Sequence, residues 1–159
     1  YLRAKSNEEL AHYLLDSLKA ENISCLQEKA LKVVSIMKER VTFPKDFWEQ
    51  AKFLFIAPTT FDESVAAKKW NDESAKVLTS YQEAVTALAS FDANIAKSTL
   101  EEVTTRLGIS TGKILQPLRL SITGAGMGPD LMMIMEIIGK DEVVRRLNYA
   151  LKTIRVKVG

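Results

Sequence analysis

A guanidinium presents its N–H donors as a flat fork, a shape that matches paired acceptors lying in one plane, such as a nucleobase edge or a phosphate. The arginine best placed for that work is Arg119, which closes Gln116-Pro117-Leu118-Arg119 and stands shortly before Gly124-Ala125-Gly126-Met127-Gly128, Pro129 and Leu131. Pro117 is expected to remove a backbone hydrogen bond and bend its helix, aiming the next turn at the loop 124–129. Glycines there would let a splayed nucleotide approach the backbone, while Pro129 and Leu131 would offer flat apolar contact to an unstacked base. A dinucleotide-binding glycine loop needs a preceding strand and a βαβ unit. A helix precedes this one, so an interhelical turn with positive φ angles is the reading.

A second arginine, Arg40, ends Lys38-Glu39-Arg40 ahead of Val41-Thr42-Phe43-Pro44. At a helix terminus beside a loop it could read a base, or it could simply compensate the C-terminal dipole. Arg145, Arg146, Lys152, Arg155 and Lys157 make the end of the chain basic, either to touch phosphates or, in the plainer reading, as a solvated face. Met127, Met132, Met133 and Met135 read as adaptable core filling rather than a binding stripe.

Catalytic signals are missing. His12 is the single histidine and Cys25 the single cysteine, so neither a nucleophile and base pair nor a multi-cysteine or multi-histidine metal site can be assembled. Cys25 reads as a small buried hydrophobe and fits a reducing, cytoplasmic setting. Lys plus Arg number 22 against 20 Asp plus Glu, so any polyanion site must come from local clustering rather than bulk charge. No run reaches the roughly 18 apolar residues of a membrane span, and a chain opening at Tyr1 is expected to be part of a larger protein.

The elements that must position these groups are helices. Ser6-Asn7-Glu8-Glu9 reads as a capping box opening a helix over about 7–20, with Leu10, Tyr13, Leu14 and Leu18 at helical spacing. A second helix, about 26–40, places Leu26, Ala30, Val33, Val34 and Met37 on one face. A third starts near Pro44 and buries Phe47, Trp48, Ala51, Leu54 and Phe55. Pro58-Thr59-Thr60 breaks the pattern, putting a subdomain junction across 56–64. Beyond it we expect helices over about 71–89, from Asp92 to Leu107 with Gly108 as cap, from Ser110 to about 122, from Pro129 to Gly139, and over about 140–156. Ser98-Thr99-Leu100-Glu101 is an alternative start for the second of these. No strand-like alternation appears. The fold class is all-α, a helix bundle or cage of two small subdomains, 1–60 and 61–159, with no sheet.

Gln116, Pro117, Leu118, Arg119, Thr123, Gly124, Pro129 and Leu131, with Ile137-Ile138-Gly139-Lys140 after them, closely resemble the C-terminal anticodon-binding domain of bacterial glutamate–tRNA synthetases. The likeness extends over nearly the whole chain and is strongest after residue 108. It implies two helical subdomains that bind the anticodon loop of tRNA(Glu). It also implies a parent class I ligase, monomeric and cytoplasmic, using ATP and Mg²⁺ in a separate Rossmann domain, with no cofactor in these residues. Residue by residue, it assigns RNA contact to Arg40, Arg119, Gly128, Pro129 and Leu131. Arg40 falls where the family reads the third anticodon base and suggests an enzyme that discriminates against tRNA(Gln). Gly128 stands where some members carry a polar residue. The other function class compatible with the residues is a helical protein–protein interaction module of a translation-associated protein.

Overall fold

Apolar side chains recur every three or four residues along most of this chain, and the described residues answer with helices and no strand. The structure, a computed structural model, describes residues 7–20, 22–23, 27–38 and 47–154. Ser6, Cys25, Leu26, Arg40, Pro44, Arg155 and Lys157 lie outside the described residues, as do the side chains of Phe47 and Trp48. The chain divides into two compact units, Tyr1–Ile56 and Ala57–Gly159.

In the first unit, α1 (Asn7–Ala20) buries Leu10, Ala11, Leu14 and Leu18 on one stripe. It packs against α2 (Gln27–Met37) and α3 (Phe47–Ala51), which runs on as a 3-10 turn through Leu54. Ala30, Val33, Val34, Met37, Ala51 and Leu54 complete this core. Tyr13, expected on the apolar stripe, is instead exposed. Lys38 Nζ donates to Asn7 Oδ1 at 3.3 Å, tying the end of α2 to the start of α1.

The second unit holds α4 (Glu63–Lys69), α5 (Asp72–Thr86), α6 (Ala93–Leu107), α7 (Leu115–Thr123), α8 (Leu131–Ile138) and α9 (Lys140–Thr153). Helix α5 packs on α6 and α9, α8 on α6 and α9, and α7 lies against α4 and α9. Asn71 and Ser74 cap α5 reciprocally. Asp92 accepts from the Ile95 N–H and opens α6, while Ser98 donates to the Ile95 carbonyl within that helix instead of opening a new one. Helix α4 had no counterpart in the sequence reading. It buries none of its residues, so no apolar stripe marks it; its signal is the cap at Asp62, which accepts from the Val65 N–H.

The segment expected as one helix from Ser110 is two elements, a 3-10 turn Thr111–Lys113 and then α7. Ser110 makes no side-chain cap. The reason is Pro117: in a helix begun at Ser110 its ring would press on the carbonyl four residues earlier and its missing N–H would leave a gap. Restarting at Leu115 puts Pro117 in the first turn, where N–H groups have no intrahelical acceptor. The proline therefore sets where α7 begins instead of bending it.

Arg146, read from the sequence as one cation among a basic tail, is buried at 2% exposure. Its Nε donates to Glu142 Oε2 at 2.7 Å and its Nη1 to the carbonyl of Ile122 at 2.8 Å. That carbonyl lies in the last turn of α7, where acceptors lack intrahelical donors, so α9 closes the end of α7. Burial pushes the Glu142 carboxyl up, but the hydrogen bonds and charges of Arg146 and Arg145 outweigh it and hold the group below its ordinary value of 4.5. Burial likewise pulls the Arg146 pKa down, against the pull of Glu142.

Replacing Arg146 with Ala strips the Ile122 carbonyl of its donor and leaves Glu142 paired with Arg145 alone, and urea unfolding should register a loss of about 1–3 kcal/mol. Because the folded-state value of Glu142 is depressed, the pair's contribution is complete above pH 4.5 and disappears as pH falls through that lower value. Urea melts at about pH 6 and about pH 3 should therefore differ less for Glu142→Gln than for the unaltered chain. An equal difference would remove Glu142 as a source of acid sensitivity.

Candidate nucleic-acid interface

Helix α7 ends at Gly124, whose φ of +81° is a left-handed geometry that glycine adopts without strain. The turn that follows is packed from the protein side. A Cβ at Gly124 would lie 2.8 Å from the Thr60 carbonyl oxygen, and one at Gly126 would lie 2.6 Å from a Val65 methyl. The Asp62 N–H donates to the Gly124 carbonyl at 2.9 Å, and Gln116 Nε2 to the Gly126 carbonyl at 3.3 Å. These glycines thus admit the protein's own backbone and side chains, not an approaching nucleotide as the sequence suggested. Of the turn's three glycines only Gly124 has positive φ.

Arg119 is half-buried, and its Nη1 donates to the Pro129 carbonyl at 2.7 Å. A Cβ at Gly128 would sit 3.0 Å from that same nitrogen. Gly128 therefore serves as clearance for the guanidinium. Pro129 is buried and Leu131 is 5% exposed, so neither presents the open apolar face expected of it. Asp130 explains this: it caps α8 by accepting from the Met132 and Met133 N–H groups. Leu131 thereby starts the buried face that packs on α6 and α9.

Around Arg119 lies a groove of about 530 Å³, within the range of ligand pockets. Arg119, Gln116 and Lys97 line it as donors and Glu101 and Asp130 as carboxylates, with Leu115 and the edge of Leu131 as apolar wall. Such a surface can both donate to and accept from a base edge. Leu115 is 41% exposed, and Met127, at the tip of the turn, is 86% exposed. Met127 is therefore no core filler, whereas Met135 is fully buried. The floor is fixed from below, because the Thr111 and Thr104 hydroxyls share a 2.7 Å hydrogen bond that holds the 3-10 turn to α6.

Of the groove's lining, the sequence reading missed Lys97, Glu101 and Leu115. Lys97 and Glu101 stand one turn apart on α6, a spacing that carries the signal. Leu115 carries none, because an exposed apolar residue looks like a buried one in sequence. Arg40 lies outside the described residues. A smaller cavity of about 310 Å³, lined by Tyr149, Asn148, Lys152 and others, also includes Arg145 and Arg146, but both of these hold Glu142. Among the described residues no three His, Cys, Asp or Glu side chains gather as a metal site, and no helix is long and apolar enough to cross a membrane.

The profile of the anticodon binding domain family matches residues 7–151. A glutamate–tRNA ligase from Cytophaga hutchinsonii is 42% identical over 159 residues, covering 99% of this chain and 31% of that protein. One from Amoebophilus asiaticus is 36% identical, covering 100% and 31%. Among solved structures, a glutamate tRNA ligase from Elizabethkingia meningosepticum superimposes with a TM-score of 0.89 at 39% identity, covering 98% of this chain and 31% of that one. The glutamate-tRNA synthetase of Elizabethkingia anophelis gives 0.83 at 38%, covering 96% and 30%. The chain thus spans under a third of the length of these relatives.

Gly124→Ala should destabilise the chain by at least about 1–2 kcal/mol from the left-handed geometry alone, read as a lower urea midpoint. Gly128→Ala should keep stability within about 0.5 kcal/mol while shifting the Arg119 side-chain NMR resonances. An unmoved Arg119 signal would show that Gly128 gives the guanidinium no needed room.

Proposed function

The chain belongs to the anticodon-binding domain family, and we propose that it is the recognition end of a glutamate–tRNA ligase, holding the anticodon loop of tRNA(Glu) with an unstacked base in the groove beside Arg119. The observation that carries this reading is the groove's mixed lining: a guanidinium and an amide to donate, carboxylates to accept, and exposed Leu115 to cover a base face. Single-stranded loop bases are recognised by that combination of edge hydrogen bonds and apolar contact. Arg119 acts there as the forked donor. Gly128, Pro129 and Leu131 take part by shaping its surroundings: clearance, a carbonyl anchor and a wall. Arg40 is assigned to the third anticodon base by the family resemblance.

The rest of the reading concerns the longer protein. It would be a monomeric, cytoplasmic ligase that activates glutamate with ATP and Mg²⁺ in a separate domain, while these residues check which tRNA is bound. Arg119 also fastens the turn through Pro129, so the informative variant is Arg119→Lys, which keeps the charge and loses the fork.

Titrated against anticodon stem-loops differing by one base, Arg119→Lys should lose about 1–3 kcal/mol of discrimination at one position, with stability lowered by no more than the about 1 kcal/mol of the Pro129 hydrogen bond. Arg40→Ala should lose discrimination at another. If both variants keep the unaltered chain's base preferences, the site assignment fails. If the unaltered chain binds no stem-loop, the functional reading fails with it.

A further inference from the structure

The 3-10 turn Thr111–Lys113 has a second side. Thr111 and Leu115 face the groove beside Arg119, whereas Lys113 and Ile114 face a separate depression of about 230 Å³. Lys68 and Lys69, from the last turn of α4, reach the same depression. All three lysines are exposed, and none pairs with a carboxylate among the described residues. The acid that shares the pocket is Glu73, one carboxylate against three ammonium groups. Asn71 and Ser74 also line it, but their side chains are committed to capping α5.

We propose that Lys68, Lys69 and Lys113 form a phosphate-binding site for the RNA strand that flanks the base held beside Arg119. The proposal rests on the RNA-binding reading above. Two observations and one chemical argument support it. The two depressions are lined from the same short stretch, Thr111 and Leu115 on one side and Lys113 and Ile114 on the other, which makes the second the neighbouring place for the backbone of a strand with a base in the first. The chain's net charge is only +2, so a three-lysine cluster facing a single acid is a local excess and not a sample of a basic surface. Lysine, a hydrated point charge on a flexible stem, suits phosphates that need attraction without a fixed geometry.

Backbone neutralisation and base reading leave different signatures. Each neutralised phosphate of a single strand contributes about 0.7 to the slope of log binding constant against log salt. In the 159-residue chain, the triple variant Lys68→Gln, Lys69→Gln, Lys113→Gln should flatten that slope by between about 1 and 2. Affinity should fall by the same factor for every anticodon sequence, with base preference and urea midpoint retained. The control triple Lys76→Gln, Arg106→Gln, Lys152→Gln removes the same charge from other exposed positions of the unit and should leave the slope nearly unchanged. An unaltered slope in the first triple, with the parent chain still binding, would overturn this site alone. Equal flattening in both triples would also overturn it, in favour of diffuse attraction. Failure of the parent chain to bind any RNA would overturn the functional reading and this site together.

Discussion

The turn 124–129 is held at both ends by a guanidinium on a backbone carbonyl. Arg146 of α9 donates to Ile122 just before the turn, and Arg119 of α7 donates to Pro129 at its far end. A turn between two helices leaves carbonyls without intrahelical donors. Here two of the turn's flanking carbonyls are satisfied by charge-assisted bonds, which are roughly twice as strong as neutral ones. Helix α7 ends directly before Gly124 and α8 opens after the Asp130 cap, so the two contacts fasten a turn whose limits Gly124 and Asp130 set. The groove is built on that junction.

The two arginines are not equivalent. Arg146 is buried and paired with Glu142, so its cost of desolvation is offset by a partner and its work is internal. Arg119 is half-buried in a groove open to solvent, and its carbonyl anchor holds the fork at the rim of a space that also contains Glu101 and Asp130. Holding a donor in place before a ligand arrives lowers the ordering cost of binding. The close fit of Gly126 against Val65 and Gln116 adds to this, because the turn has little freedom to collapse into the groove.

Much of the fold could be read from the sequence because its helices carry strong local punctuation. Asp92 and Gly108 bracket α6, Asn71 and Ser74 open α5, and Leu10, Leu14 and Leu18 repeat along α1. What escaped was information carried by tertiary contact. Helix α4 buries nothing and so shows no stripe. Ser110 has the right side chain for a cap, but Pro117 decides where the helix begins. The candidate site was legible in part: Arg119 and its glycine-rich neighbourhood stood out, while the roles of the neighbours did not. Pro129 and Leu131 looked like contact surfaces and are buried. Met127 looked like core and is exposed. Apolar side chains do not announce which side of a turn they occupy, because a turn lacks the periodicity that sorts faces in a helix.

The near-neutral charge of the chain bears on how such a domain would discriminate. Non-specific attraction to RNA comes from counterion release and grows with the number of phosphates neutralised. A strongly basic surface would hold many RNAs with similar affinity and dilute the effect of any single base contact on occupancy. A chain at +2, with a few lysines on one side of the 111–113 turn and a mixed donor and acceptor groove on the other, keeps the sequence-independent contribution small. Under that balance a base-edge contact of about 1–3 kcal/mol is a large share of the free energy that separates one tRNA from another. Under the proposed function, discrimination would depend on how rigidly Arg119 is presented, which returns the burden to the Pro129 carbonyl and the clearance at Gly128.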